Sequence, residues 1–237
     1  YGTVRSHINT HEAGAIERGG HKVIALPDVD GKLTAAQIAT EQEKYLHDPS
    51  REHIVMPKMV YISQPTEIGT LYSKQELEDL YAVCKQYGLY LYIDGARLGY
   101  GLTSPACDFT MADLANLCDV FYIGGTKCGL LFGEAAVILN PAIKEDFIPL
   151  AKQCGSILAK GRLLGIQFEA MFTNGLYYKV CQQGIDTAMQ IKAALQQKGF
   201  EFLVDSPTNQ QFVIVPREVY EEICKHFTVA LWENLPD

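Results

Sequence analysis

Over its first half the chain alternates short apolar runs with stretches whose apolar residues recur every three or four positions. The runs KVIAL (22–26), KMVYIS (58–63), LYLYID (89–94), DVFYI (119–123) and AAVIL (135–139) are rich in β-branched and aromatic residues and bounded by turn formers, which predicts five strands. Residues 34–46, 74–87 and 111–117 carry the helical period and predict helices between them. Thr34 and Ser73 stand where N-caps belong, and Ser73 is followed three residues on by Glu76, a capping-box pattern. Strands apolar throughout, alternating with helices, predict an α/β fold with a mostly parallel sheet covered by helices on both faces.

After about residue 141 the texture becomes helical through 198, including a stretch from Arg162 to Gln183. Two short strands (200–204 and 211–215), a helix starting near Pro216 and a last strand at 228–232 are predicted beyond it. The expected division is a large domain over 1–158, then an interdomain helix and a smaller α+β domain over 159–237. The chain opens on Tyr1 without an initiator Met and stops at Asp237 without a closing element. The expectation is therefore the central and most of the C-terminal part of a longer protein, truncated at both ends.

Composition narrows the function. The 237 residues are 48% hydrophobic and 20% charged, enough for a large core. A formal charge of −8 argues against nucleic acid or an anionic membrane as the main partner, whereas a small anionic ligand needs only a few local cations. Seven cysteines without a C-x-x-C pair suit free thiols in a reducing cytosol, which predicts a cytoplasmic protein. No apolar run reaches the roughly 18 residues of a membrane span.

Parallel sheets bind ligands at the carboxyl ends of their strands, and the pattern puts Asp94 and Lys127 at the ends of successive strands. A buried strand-end carboxylate is costly unless paired, so Asp94 has Arg97, a capping role or a cationic ligand as partner. Alone, Lys127 reads as a surface lysine with its ammonium in water. GGTK (124–127) lacks the first glycine of a P-loop and has Cys128 where Ser or Thr belongs, which disfavours a nucleotide phosphate site. His7 and His11 beside Glu12 lack the H-E-x-x-H order and a third ligand, so no metal is predicted. Together, Asp94 and Lys127 suit pyridoxal phosphate. The lysine amine meets the aldehyde, the carboxylate keeps the ring nitrogen protonated, and the protonated ring is an electron sink. Gly124 and Gly125 are expected to let the backbone approach that flat ring.

YIDGARLGYG (92–101) followed by DVFYIGGTKCGLLFGEA (119–135) resembles the Asp-Gly-Ala-Arg and Ser/Thr-Lys segments of the threonine aldolases. These belong to the β-eliminating lyase group of pyridoxal-phosphate enzymes with the aspartate aminotransferase fold (fold type I). HINTHEAGA (7–15), LPDVDGKLT (26–34) and KGRLLG (160–165) resemble further family segments in the same order. The resemblance implies that His7 stacks on the cofactor ring, Asp94 bonds the ring nitrogen and Lys127 bears the cofactor. It also implies that Arg97 helps hold the substrate carboxylate and that Arg162 reaches the cofactor phosphate of a neighbouring subunit, in a homodimer or homotetramer with shared sites. The family's glycine-rich phosphate segment and a carboxylate-binding arginine are expected outside this chain.

One segment departs from the family. SQPTEIGTLYS (63–73) occupies the place of Glu-Asn-Thr-His; Thr66 matches, but Glu67 stands where the family has a histidine near the substrate's β-hydroxyl. A carboxylate of raised pKa can serve as that base. The implied reaction is retro-aldol cleavage of threonine or allo-threonine to glycine and acetaldehyde. Glu67 keeps open β-elimination from an aromatic or sulfur amino acid, or transamination, and the missing ends keep open a catalytically incomplete chain.

Overall fold

A computed structural model describes residues 1–235. Near its start, β1 (Gly2–Thr3) pairs in parallel with β2 (Ala25–Leu26), and the short helices α1 (His7–Thr10) and α2 (Ala15–Arg18) lie between them. Three helix-then-strand units follow in sequence. They are α3 (Ala35–His47), β3 (Met59–Ser63), α4 (Lys74–Tyr87), β4 (Tyr90–Asp94), α5 (Leu98–Thr103), α6 (Met111–Leu114) and β5 (Val120–Gly124). Next come β6 (Glu134–Ile138), α7 (Pro141–Lys144), α8 (Phe147–Gln153), α9 (Arg162–Phe172) and α10 (Leu176–Gln197). A two-residue antiparallel pair, β7 (Glu201–Phe202) and β8 (Val213–Ile214), precedes α11 (Arg217–Cys224).

Local chemistry accounts for the main helices. Thr34 and Ser73 both form full capping boxes: each side chain accepts from the third helical N–H, and the Gln37 or Glu76 side chain accepts from the cap's own N–H. Such a cap contributes about 1 kcal/mol. Helix α4 ends at Gly88, whose φ of 65° is the left-handed conformation that closes a helix. Its buried face is Leu77, Leu80, Val83 and Cys84, and each large apolar side chain there gains about 1.5–3 kcal/mol by leaving water.

The central sheet has the order β3-β4-β5-β6, with β3, β4 and β5 parallel and β6 antiparallel to β5. Val60, Ile62, Leu91, Ile93, Phe121 and Ile123 are buried in the core cluster. The strands are not apolar throughout, however. Tyr61 pairs with Tyr92 and Ser63 with Asp94, while Tyr92 pairs with Val120. The period of two therefore collects Tyr61, Ser63, Tyr92, Asp94 and Tyr122 on one face.

Other expectations change at their edges. Only Ala25–Leu26 of KVIAL is strand. The helix expected over 111–117 stops at Leu114, because Asn116 and Leu117 turn back onto Asp113 and Leu114 before β5. The stretch from Arg162 to Gln183 breaks at Thr173–Gly175, where Asn174 (φ 54°) and Gly175 (φ 66°) take left-handed conformations. No strand forms at 228–232. Instead Trp232 packs against Phe212 at 5.1 Å and stacks on His11 at 6.0 Å, and Glu233 meets Arg5 at 3.4 Å. Among the described residues no helix is long and apolar enough to cross a membrane.

Candidate active site

The carboxyl ends of β3, β4 and β5 carry the residues singled out above. Past β3, the chain folds into a turn at 66–70 closed by the Thr66 N–H on the Thr70 carbonyl (2.9 Å) and by contact of the two threonine hydroxyls (2.7 Å). Gly69 sits in this turn at φ 81°, where an added Cβ would lie 2.5 Å from the Ser206 oxygen. The Ser206 and Thr208 hydroxyls both donate to the Gly69 carbonyl. The turn is thus clamped from behind by the C-terminal part of the chain, and Glu67 is presented on it.

Glu67 is only 9% exposed. Its Oε1 accepts from the Ser63 hydroxyl (2.6 Å) and from the His7 backbone N–H (3.0 Å). Burial pushes the Glu67 pKa up; the Ser63 and His7 donors pull it partly back, and the nearby negative charge of Asp94 adds to the rise. The His7 ring is half-buried, hydrogen-bonded through Nδ1 to Glu12 (2.5 Å) and stacked on His11 at 5.3 Å.

Asp94 closes β4. One carboxylate oxygen accepts from the Ala96 N–H (3.0 Å) and the other from the Tyr61 hydroxyl. Tyr122 lies beside the same carboxylate. Among the described residues Asp94 has no ion-pair partner. Arg97 does not pair with it, contrary to one of the sequence alternatives: it is the half-buried N-cap residue of α5, its guanidinium unbonded among the described residues. The bond to Ala96 satisfies the local capping role, so that role accounts for only one of the two oxygens.

Lys127 lies three residues beyond the end of β5 rather than at it. The turn that carries it is fixed by Cys128 and Leu130 N–H groups on the Gly125 carbonyl, by the Gly125 N–H on Glu134 (2.6 Å) and by the Gly133 N–H on Thr126 (3.0 Å). Tyr100 donates to the Lys127 carbonyl (2.9 Å), while its ammonium is exposed and unbonded among the described residues. The glycines have a packing role of their own. The Gly124 N–H donates to the Gly95 carbonyl (2.8 Å), and a Cβ on Gly124 would fall 2.2 Å from the Ala96 carbonyl oxygen. A Cβ on Gly125 would meet the Gly133 carbonyl at 2.2 Å. The missing side chain of Gly124 lets the 95–97 loop cross the end of β5 in contact, and that of Gly125 lets the Lys127 turn close on Gly133, which together set Lys127 relative to Asp94. Tyr177 locks this crossing from α10, accepting from the Gly99 N–H (3.1 Å) and donating to the Gly124 carbonyl (3.0 Å).

Direct contacts thus join His7, Glu67, Ser63, Asp94 and Tyr61, and the Gly95–Gly124 crossing brings Arg97 and Lys127 to the same edge. Arg162 is not joined to them. It is the exposed first residue of α9, and that helix meets the Lys127 loop through Leu164, Gln167 and Phe168. Sequence reasoning passed over Ser63, Tyr61, Tyr122 and Tyr177. For the first three the signal is present: Tyr61-x-Ser63, Tyr92-x-Asp94 and Tyr122-x-Gly124 are parallel strand ends with a tyrosine at the same offset.

The architecture is that of the type I pyridoxal-phosphate fold. Cystalysin from Treponema denticola, whose structure contains pyridoxal 5'-phosphate, superposes with a TM-score of 0.63 at 18% identity over 90% of this chain and 56% of its own. At that identity the likeness establishes the fold alone. A family model, the β-eliminating lyases, matches residues 2–217, and the chain belongs to that family, in its threonine aldolase group. Leishmania major threonine aldolase superposes with a TM-score of 0.94 at 47% identity, covering 100% of this chain and 68% of that one. Low specificity L-threonine aldolase of Pseudomonas sp. (strain NCIMB 10558) is 34% identical over 183 residues, 73% of this chain and 50% of that protein. Its Pseudomonas aeruginosa counterpart is 37% identical over 168 residues, 67% of this chain and 45% of that protein. The chain spans about half the length of these curated relatives.

Proposed function

We propose that the protein is a pyridoxal-phosphate-dependent lyase that cleaves β-hydroxy-α-amino acids such as threonine to glycine and an aldehyde. The carrying observation is one sheet edge on which two bonded carboxylates, Glu67 and Asp94, share space with cationic side chains that have no partner among the described residues. The three similar proteins above 30% identity are all named threonine aldolases, which supports the same reaction.

The residues fit the cofactor. Asp94 lacks a cation and suits a protonated ring nitrogen; Lys127, Arg97 and Arg162 lack anions and suit the aldehyde, the substrate carboxylate and a phosphate. When bound, pyridoxal phosphate withdraws electrons from the bonds at the substrate's α-carbon. Lys127 would hold it at the sheet edge, Asp94 would accept from its ring nitrogen and His7 would cover the ring. Glu67, ionised and desolvated, takes the proton of the substrate's β-hydroxyl as the Cα–Cβ bond breaks, leaving the aldehyde. The two donors on Glu67 hold it in one orientation and leave its second oxygen for that proton.

The discriminating experiment offers the full-length protein threonine, tryptophan, tyrosine and an amino acid with an α-keto acid. Glycine with acetaldehyde is expected from threonine. Pyruvate from tryptophan or tyrosine would instead make it a β-eliminating enzyme, the reading that Glu67 in the histidine's place keeps open. Cofactor uptake and threonine turnover by the 237-residue chain alone would rule out the catalytically incomplete chain.

A second copy of the chain is the proposed partner. Leu131, Phe132, Ile148, Leu158, Leu163 and Ile166 are all exposed in the same stretch as Arg162, an apolar surface of the kind subunits bury. Contact there would also give Arg162 a neighbour's phosphate to bind. Leu163→Glu is expected to shift the protein towards monomer in sedimentation; an unchanged state would count against this surface. The seven cysteines are all unpaired, which supports a reducing, cytosolic setting.

A further inference from the structure

The sheet face that ends in Asp94 carries three tyrosines in one row. Tyr61 and Tyr92 are cross-strand partners with rings stacked at 5.7 Å and 9°, and Tyr122 on the next strand lies 6.4 Å from Tyr92. Their hydroxyls are not equivalent. Tyr61 donates to the Asp94 carboxylate and Tyr122 lies against it, whereas Tyr92 makes no hydrogen bond to it among the described residues.

We infer that Tyr61 is a positioning residue of the site, aiming Asp94 so that its carboxylate recognises the protonated ring nitrogen of the cofactor, with Tyr122 supporting it. This rests on the reading in which Asp94 meets pyridoxal phosphate. A half-buried carboxylate needs donors on its oxygens to compensate for the lost water and to keep one orientation. The Ala96 N–H is one such donor and occupies one oxygen. Tyr61 supplies the donor on the other. It cannot compete as an acid, because burial first, and the charge of Asp94 second, push its phenol well above the ordinary tyrosine range, and the same two causes act on Tyr122. Both phenols therefore remain donors throughout the working pH range. The stacked row limits how far the Tyr61 ring can swing, so the bond fixes the direction of the carboxylate.

The test uses two probes in the full-length protein, pyridoxal phosphate and its 1-deaza analogue, in which a C–H replaces the ring nitrogen. The readout is the dissociation constant of each, measured by fluorescence titration. The wild type is expected to bind pyridoxal phosphate more tightly than the analogue. Tyr61→Phe is expected to shrink that preference about tenfold, the worth of a hydrogen bond to a charged group, while affinity for the analogue stays nearly constant. Tyr122→Phe should act in the same direction and serves if Tyr61→Phe does not fold. Tyr92→Phe should leave the preference unchanged. A preference that is unaltered or larger in Tyr61→Phe, or two affinities that weaken together, would overturn the inference and leave Tyr61 a packing residue. A wild type with no preference at all would overturn the reading of Asp94 beneath it, a result distinct from the other.

Discussion

Glu67 and Asp94 each accept two hydrogen bonds from within the protein. Lys127, Arg97 and Arg162, at the same edge or on the helix beside it, carry charged ends with no partner among the described residues. The protein's own donors hold the anionic half of the site in place, while the cationic half is fixed only through its backbone turns. In the proposed reaction that difference divides the labour: the carboxylates are set before any ligand arrives, and the cations would meet the anionic groups of cofactor and substrate. Variants on the cationic side should therefore abolish function with little loss of stability, and variants on the carboxylate side should change pH behaviour as well as rate.

The largest effect is expected at Lys127. Lys127→Ala should lower acetaldehyde release from threonine by more than about a thousandfold, while thermal stability stays within about 0.5 kcal/mol, as for an exposed position. Glu67→Gln should reduce turnover by about 10²–10⁴-fold, the usual share of a general base.

Glu67 also leaves a signature in pH. Its folded pKa is raised, so between the ordinary glutamate value and the raised one the folded state binds more protons than the unfolded state. The stability from this group is fully present below that window and is lost as pH rises through it. Denaturant titrations across mildly acidic pH should show this decline in the wild type and not in Glu67→Gln. The acid limb of wild-type turnover should likewise lie at higher pH than an ordinary glutamate would give.

Gly124→Ala forces a Cβ to 2.2 Å from the Ala96 carbonyl oxygen. It should cost about 1–3 kcal/mol and lower turnover by shifting Lys127. The smallest effect is expected at Ser63. Ser63→Ala removes one of the two donors to Glu67 and should move the acid limb to still higher pH, with a loss in maximal rate of about tenfold or less.

The parallel sheet was readable because buried strands and amphipathic helices alternate with strong periods, and the capping boxes at Thr34 and Ser73 mark where α3 and α4 begin. The placement of Asp94 followed from the sheet itself, since it ends a strand whose neighbours are fixed by chain order. What could not be read was cross-strand chemistry. That Ser63 sits opposite Asp94, or that the Tyr61 hydroxyl reaches it, depends on register, which one strand's pattern does not encode. The crossing of Gly95 and Gly124 is likewise a contact between two loops 29 residues apart, invisible to local pattern. The failed strand at 228–232 has the opposite cause. Its alternation is strand-like, but Trp232 is drawn onto Phe212 and His11, and tertiary packing overrides propensity.

The central claim is that Lys127 holds the cofactor. Reducing the full-length protein with borohydride in the presence of pyridoxal phosphate fixes the cofactor permanently to the amine that bears it, and peptide mass mapping then locates the added mass. The modification is expected on Lys127 and absent in Lys127→Ala; stoichiometric modification of another lysine, with Lys127 unlabelled, would rule out Lys127 as the residue that bears the cofactor.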